Sequence, residues 1–374
     1  MLNEPIIEGL PRGYSLASHQ LLLRLGNLSA WAERLALAPR SRRIPIDRPI
    51  LVVGAFRSGT TMLEQILASH PQVGVFWFFT NAVHRAPVTG YYFLKLMSRL
   101  GLLDAQRLPY LHNPRIALTP FSAFECEWVW AQAGKNLWDP ACTDLTAGAD
   151  FGNPAFEGEL RSIIQRHLMV QGAHRFLNKN PIHLLRLPYL HRLFPDARFV
   201  YIMRDPIAAI LSHYRVVKRI AATIHPHPQA RRAIEDGLHL DVLTPRIKTS
   251  QYAATLALDN IHPLLGIAHQ WRMMHLTALA SLAANPDLAQ QTMFVDYAVL
   301  VATPAAVLNR VWEFIGLADG AAAAITAVVA PTLTAPCTPP PSSDEAPWLP
   351  AVKEIVAPAA EQLAALPFYQ GRCT

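Results

Sequence analysis

The sequence lacks the features of a disulfide-rich, zinc-binding or membrane-spanning protein. Its 374 residues include four cysteines, which are widely separated and have neither metal-ligand nor redox spacing. No apolar run approaches the roughly 18 to 20 residues that a membrane-spanning helix needs. The N-terminus has no continuous apolar segment of the kind found in secretory signals. These absences predict a cytoplasmic protein with no transmembrane segment and no bound metal.

The chain has no long run of like charge, although basic residues cluster locally at Arg40–Arg43 and at Arg231 and Arg232. The net charge is +6 and the pI is near 9.2, but no run of five or six like charges occurs. The mild excess of cations is either ordinary surface charge or a field that attracts an anionic ligand. We expect no nucleic-acid partner. With 51% hydrophobic and 16% charged residues, the composition is that of a globular protein with a large core.

What the sequence does contain is a series of short apolar runs followed by helical patterns. Strands are predicted at Ile50–Val53, Arg175–Leu177, Ala197–Met203 and Thr292–Val295. Their alternation with helices predicts an α/β fold, a three-layer sandwich with a central parallel sheet and helices on both faces. Residues 73–150, which are rich in aromatic residues and proline, are predicted to form helices and loops over the sheet.

Three regions are expected along the chain. Residues 1–46 form a helical extension, residues 47–320 the α/β domain, and residues 321–374 a proline-rich wrap that ends in a helix with a kink or break at Pro358. Residues 221–250 mix histidine, proline and charge, and they are predicted to form a lid.

The first motif is a glycine-bounded turn between the first strand and its helix. It runs from Gly54 through Arg57, Ser58 and Gly59 to Thr60 and Thr61. Backbone N–H groups in such a turn, together with the helix N-terminus, bind anions. The pattern is that of a P-loop, but Thr60 stands where a nucleoside-triphosphate enzyme has lysine, and Arg57 lies inside the loop. The alternative is an ordinary turn with a basic residue.

This segment resembles the 5′-phosphosulfate loop of the sulfotransferases that use 3′-phosphoadenosine-5′-phosphosulfate (PAPS). It is most similar to the bacterial branch and to the tyrosylprotein sulfotransferases, which have Pro-Arg-Ser-Gly-Thr-Thr where this chain has Phe56 to Thr61. The resemblance covers about residues 45–318. It implies a P-loop-type fold, PAPS as the donor, and metal-free in-line transfer to a hydroxyl or amine.

A second motif follows a later strand. Arg204 stands at the carboxyl end of the strand, where open α/β sheets bind ligands, and Ser212 lies in the next helix. A guanidinium and a hydroxyl suit a phosphate monoester, and the family's 3′-phosphate motif has the same spacing. The resemblance of the segment ending at Tyr297 to the family's late strand adds that residue to the predicted donor site. The alternative for Arg204 is a local structural contact.

The third motif places Lys179 after a strand and before Pro181. A positioned ammonium can stabilise the charge that builds on the bridging oxygen in sulfuryl transfer. The matching segment of the tyrosylprotein branch carries a catalytic lysine, and other bacterial relatives have a histidine two residues after the proline, here His183. Both residues are predicted to be catalytic, with Arg57 beside them. The alternatives are a lysine at a surface turn and a histidine on a helix surface.

The general base is the least defined part of the predicted site. The glutamate that the tyrosylprotein branch has after the first helix is replaced here by the aromatic run Phe76 to Phe79. Glu125 and Glu127 resemble an acidic motif of another bacterial branch, and either could act as or orient the base. One alternative is two structural acids paired with arginine. Another is that His70, His84 or His183 is the base, since histidine titrates near neutrality. The aromatic run, with Trp128 and Trp130, is predicted either to line an acceptor pocket or to belong to the core.

Two other functions are consistent with these motifs. One is an atypical P-loop kinase, which the missing lysine disfavours. The other is a non-catalytic nucleotide-binding protein that kept the fold. The acceptor could be a small molecule, a lipid, a glycan or a peptide.

Overall fold

A computed structural model describes most of the chain. The described residues are 29–33, 35–80, 86–100, 108–110, 113–134, 144–224, 262–333 and 339–366. The predicted lid, apart from residues 221–224, and residues 1–28 of the predicted extension lie outside these ranges. None of the described helices combines the length and the apolar character needed to cross a bilayer.

Seven strands occur in the described part of the chain. They are β1 (Ile50–Val53), β2 (Val73–Val75), β3 (Leu108–Tyr110), β4 (Asn113–Leu118), β5 (Arg175–Lys179), β6 (Arg198–Met203) and β7 (Thr292–Asp296). Five of them form one sheet in the order β2-β5-β1-β6-β7, and every neighbouring pair is parallel. Strands β3 and β4 form a separate antiparallel pair. The predicted central parallel sheet is therefore confirmed.

Residues 29–33 and 35–41 are helical. The remaining α-helices are Thr60–Ala68, Pro87–Arg99, Glu127–Ala131, Pro154–Gln171, Leu187–Leu193, Pro206–Ile224, Pro263–Ala284, Pro286–Gln290, Tyr297–Ala302, Pro304–Ile315, Gly320–Val329 and Leu349–Ala364. Short 3₁₀ turns occupy Pro181–Leu185, Ala330–Thr332 and Ala346–Trp348.

Alternate residues of each strand enter two different cores, one on each face of the sheet. In β1, Leu51 and Val53 belong to one core, whereas Ile50 and Val52 belong to the other. Side chains point to opposite faces with a period of two, so a strand buried on both sides must be apolar throughout. This arrangement confirms the three-layer sandwich.

The C-terminal helix shares the larger core with the helices that follow β6. Its apolar side chains Val352, Val356, Ala359 and Leu363 are all buried there. The helix was predicted to kink or break at Pro358. A break is wrong, because Leu349–Ala364 is continuous. Pro358 is exposed, so the carbonyl that loses its hydrogen bond can be hydrated, while the buried stripe holds the helix together.

The predicted absence of strands between residues 73 and 150 is also wrong. Strand β2 has only three residues, too few to give a clear sequence signal, yet it extends the parallel sheet at one edge. The Gln171 side chain accepts a hydrogen bond from Val75 N (3.0 Å) and donates one to Val75 O (2.8 Å). These bonds satisfy the backbone N–H and C=O of Val75 at this edge, which no other described strand covers.

Candidate functional site

The predicted site residues meet at one edge of the sheet, where four adjacent strands end. Lys179 is the last residue of β5, and the Gly54–Thr61 turn follows β1, its neighbour. Arg204 comes directly after β6, and Tyr297 directly after β7. The carboxyl edge of a parallel sheet is where such folds bind ligands.

Two residues of the turn have left-handed backbone conformations. Arg57 has φ of 67° and Gly59 has φ of 97°. Gly59 also lies against the ring of Tyr297, because a Cβ added at Gly59 would lie 2.5 Å from that ring. The helix begins at the next residue, Thr60, whose side chain is buried. The turn thus closes tightly onto β7 and leaves the helix N-terminus at the edge of the sheet.

The turn and the second motif are in direct contact. Arg57 Nε donates a hydrogen bond of 3.1 Å to Ser212 Oγ, and Arg204 Nη1 donates one of 3.1 Å to the carbonyl oxygen of Arg57. The Arg204 guanidinium lies 5.0 Å from the centre of the Tyr297 ring. Burial lowers the pKa of Arg204 below its usual value. Sequence reasoning predicted both motifs, and the structure joins them.

Ser58 is a further polar group of the turn. Its side chain is completely buried, and within the described residues its hydroxyl has no hydrogen-bond partner. A buried hydroxyl without a partner costs free energy unless something else bonds to it. This fits a turn built to receive an anion, to which the hydroxyl can donate.

Lys179 lies between two carboxylates. Its Nζ donates a short hydrogen bond to Glu125 Oε1 and lies 3.9 Å from Glu64 Oε2. The Lys179 side chain is 2% exposed, the Glu64 side chain 1%, and the Glu125 side chain 24%. Of the two acids, only Glu125 is open enough to meet an acceptor.

Glu64 is a member of the site that sequence reasoning missed. It is the fifth residue of the helix Thr60–Ala68 and is buried on the same face as Leu63 and Leu67. Burial raises the pKa of Glu64 to about 7; the charge of Lys179 opposes this and that of Glu125 adds to it. One feature of the sequence could have pointed to Glu64: it is an acidic residue within the apolar stripe of a helix that directly follows an anion-binding turn.

Glu127 has a different environment from Glu125. The Arg186 guanidinium donates to both of its oxygens, at 2.6 and 3.1 Å, and Asn180 Nδ2 donates to Oε2 at 2.5 Å. All three residues are buried. Glu127 therefore ties the helix Glu127–Ala131 to the segment that follows Lys179.

His183 is completely buried below Lys179, against the edge of Trp130. Its Nε2 lies 2.9 Å from Asn178 Oδ1, which also accepts a hydrogen bond of 3.1 Å from Trp130 Nε1. Asn178 Nδ2 in turn donates to the backbone oxygen of Glu125 (3.2 Å). Burial lowers the pKa of His183 well below its usual value. The neutral ring thus supports the amide that holds Glu125.

The aromatic run contributes to both cores. Phe76 packs against Phe176 in one core, which also contains Trp130. Trp77 is buried in the other core, where it stacks on Tyr91 with ring centroids 5.3 Å apart. The side chain of Trp128 lies outside the described set.

Comparisons with known proteins agree with this geometry. A family model described as the sulfotransferase family matches residues 49–239. Curated proteins of Mycobacterium bovis and Mycobacterium tuberculosis, each named omega-hydroxy-beta-dihydromenaquinone-9 sulfotransferase Stf3, are 25% identical to this chain over 300 residues. The match covers 73% of this chain and 64% of each relative's length.

Two solved structures share the fold. The sulfotransferase STF9 of Mycobacterium avium has a TM-score of 0.60 at 16% identity, over 93% of this chain and 84% of its own. The sulfotransferase STF1 of Mycobacterium tuberculosis has a TM-score of 0.53 at 16% identity, over 94% of this chain and 87% of its own. At these identities the similarity concerns the arrangement of strands and helices.

Proposed function

This chain belongs to the sulfotransferase family, and we propose that it transfers a sulfuryl group from PAPS to a hydroxyl or amine of an acceptor. The observation that carries the proposal is the placement of Lys179 beside the Gly54–Thr61 turn, at the ends of two paired strands. A cation and an anion-binding turn are thereby brought to the same point. An acid, Glu125, lies in contact with the cation.

The two ends of the donor are assigned to two parts of this edge. The turn, through the backbone and the Ser58, Thr60 and Thr61 hydroxyls, would hold the 5′-phosphosulfate, with Arg57 adding a cation. Arg204 and Ser212 would hold the 3′-phosphate, with Tyr297 packed beside them. The contact of Arg57 with both Ser212 and Arg204 supports a single ligand spanning the two motifs.

The residues around Lys179 suit the in-line reaction. The bond between sulfur and the bridging phosphate oxygen breaks, and a bond forms between sulfur and the acceptor oxygen or nitrogen. We assign Lys179 to the negative charge that builds on the bridging oxygen. The acceptor proton passes to Glu125, which is the more exposed of the two carboxylates beside Lys179. Adenosine 3′,5′-bisphosphate leaves as the second product.

Three buried residues would act through these groups. Glu127 would hold the helix behind Glu125 through Arg186. His183 would fix Asn178, and through it the Glu125 backbone. Glu64 would set the charge around Lys179. The reaction is proposed to take place in the cytoplasm.

Family membership favours this reaction over a kinase or a non-catalytic binding protein. The relatives from mycobacteria are named for a hydroxylated menaquinone derivative; the acceptor of this chain is proposed only as a hydroxyl or amine.

The experiment is to incubate the purified protein with ³⁵S-labelled PAPS and an extract of host metabolites and lipids, and to identify the labelled product. A parallel reaction with ATP and Mg²⁺ tests the kinase alternative. Calorimetry with adenosine 3′,5′-bisphosphate tests donor binding without an acceptor. The proposal fails if the bisphosphate produces no binding heat, whereas binding without labelling over a broad acceptor set would favour the non-catalytic alternative.

A further inference from the structure

An exposed apolar surface lies on two neighbouring helical segments away from the core. We call it the apolar outer face. Its members are 53–68% exposed, although large apolar side chains are normally buried. They are Trp31, Leu35, Tyr92, Phe93, Leu96 and Leu100. Contiguous exposed apolar groups of this size mark interaction surfaces.

Most of the helix Pro87–Arg99 lies outside the buried core. Its buried residues, Pro87, Val88 and Gly90, all lie in the first turn. From Tyr91 onward, no residue as far as Leu100 is buried. The apolar side chains of the last two turns therefore contribute little to the core, which leaves their hydrophobic character unexplained by folding.

The two segments are joined on their inner side. Glu33 accepts a short hydrogen bond from the backbone N–H of Thr89, and its other oxygen accepts one of 3.2 Å from Arg166 Nη1. Glu33 is 5% exposed. Because a helix turns about 100° per residue, Trp31 and Leu35 point away from the side that Glu33 faces. The two sets of apolar side chains thus flank one buried contact and face outward.

The exposed charged side chains of these two segments are all cationic among the described residues. In the described residues 29–33, 35–43 and 86–100, the exposed charged side chains are Arg40, Arg42, Arg43, Lys95 and Arg99. The one acidic residue in these ranges is Glu33, which is buried and bonded. A surface that combines aromatic and leucine side chains with a cationic border matches the interface of an anionic bilayer.

We propose that the apolar outer face docks the protein on the surface of an anionic phospholipid bilayer. Trp31, Phe93 and Leu96 enter the boundary between headgroups and acyl chains, and the surrounding cations contact lipid phosphates. The attachment is interfacial, since none of the described helices can cross a membrane. A second copy of the chain fits less well, because a two-fold contact through this face would bring two sets of cations together.

A series of side-chain contacts leads from the apolar outer face to the candidate site. Tyr91 packs against Tyr92 on one side, with ring centroids 5.2 Å apart, and stacks on Trp77 on the other. The carbonyl oxygen of Trp77 accepts a hydrogen bond of 3.3 Å from Cys126 Sγ, next to Glu125. Contacting residues thus connect the face to Cys126, the neighbour of Glu125 in the site.

The test is flotation of the full-length protein with phosphatidylcholine vesicles, with and without phosphatidylglycerol. We expect binding to the anionic vesicles that falls when salt is raised. The double variant Phe93→Ser, Leu96→Ser should bind at least about tenfold more weakly, because it removes two apolar side chains from the contact with the bilayer. Val328→Ser is the matched control, because Val328 is 72% exposed on a different helix. It should bind like the unmodified protein.

The substitutions lie at exposed positions, so each variant should keep its melting temperature, which circular dichroism checks. Equal binding of the double variant and the unmodified protein would overturn the proposal, as would the absence of binding to anionic vesicles. Sedimentation velocity provides a second readout. If the unmodified protein is a dimer that the double variant converts to a monomer, the face is an interface between copies, and the bilayer proposal is wrong.

Discussion

Arg57 in the turn after β1 and Ser212 in the helix after β6 share a hydrogen bond of 3.1 Å across 155 positions of sequence. The two anion-binding motifs therefore form one continuous surface. We predict that Ser212→Ala weakens adenosine 3′,5′-bisphosphate binding about tenfold, the equivalent of one hydrogen bond to a charged group. Calorimetry measures the loss. Ser281→Ala, which removes a hydroxyl bonded only within its own helix, should leave affinity unchanged.

Replacement of Lys179 should separate chemistry from donor binding. We expect Lys179→Ala to lower kcat by about 10²- to 10³-fold, as loss of one group that stabilises transition-state charge does. Affinity for the bisphosphate should change little, because that product has lost the sulfuryl group. Steady-state rates with the acceptor from the labelling experiment give kcat, and calorimetry gives the affinity for the bisphosphate. An equal loss of kcat and of affinity would show that Lys179 only binds the donor.

Glu125 and Glu127 are two residues apart, yet loss of the charge should mainly affect activity at Glu125 and mainly affect stability at Glu127. Glu125→Gln should lower kcat by about 10²- to 10⁴-fold, the usual range for a general base. Some stability should also be lost, because the Lys179 side chain, which is 2% exposed, loses a charged partner, so kcat is expressed per folded molecule. A Glu125→Gln enzyme with unchanged kcat would remove Glu125 from the reaction.

Glu127→Gln should mainly destabilise the protein. The change leaves the buried Arg186 guanidinium without its countercharge, which costs about 3 to 5 kcal/mol. Urea unfolding measures this difference, and kcat per folded molecule should stay within a few-fold of the unmodified value. If instead stability is retained and kcat falls, Glu127 takes part in the chemistry.

The sequence was most informative where one local pattern determines the structure. Apolar runs at β1 and β6 predicted buried parallel strands, and the glycine-bounded turn predicted the anion site. Features that depend on distant partners were not accessible in this way. Strand β2 forms because β5 is beside it, and Glu127 is fixed by Arg186, 59 positions away. Glu64 was missed because nothing local shows that the helix turns it towards Lys179.

Gly59 should tolerate no side chain. Gly59→Ala imposes a left-handed conformation on alanine and places a methyl group 2.5 Å from the Tyr297 ring, so we expect loss of donor binding and reduced stability. Gly172→Ala is the matched control, since Gly172 has φ of 65° with nothing within 4 Å of the added Cβ. Gly172→Ala should lower the free energy of unfolding by only about 1 kcal/mol, the cost of a left-handed backbone conformation for alanine. Equal losses in both variants would mean that the contact with Tyr297 is unimportant.

Glu64 should make the free energy of unfolding fall as the pH rises, whereas a salt-bridged acid makes it rise. Its pKa is about 7 in the folded protein and near 4.5 when exposed, so the protonated form is the one that folding favours. The stabilisation is complete below about pH 4.5 and is lost as the pH rises through 7, at a cost of up to about 3 kcal/mol. The charged groups facing Glu64 are Lys179 and Glu125, and the Cys126 thiol lies close by. Glu64→Gln keeps the shape without the titration.

Urea unfolding of both proteins between pH 4.5 and 8 tests this. The stability of Glu64→Gln relative to the unmodified protein should rise between about pH 4.5 and 7 and then level off, because only the unmodified protein must ionise a buried acid. The same substitution should also shift the pH dependence of kcat, since Lys179 then faces one carboxylate instead of two. A difference in stability that stays constant with pH would show that Glu64 is already ionised in the folded protein at pH 4.5.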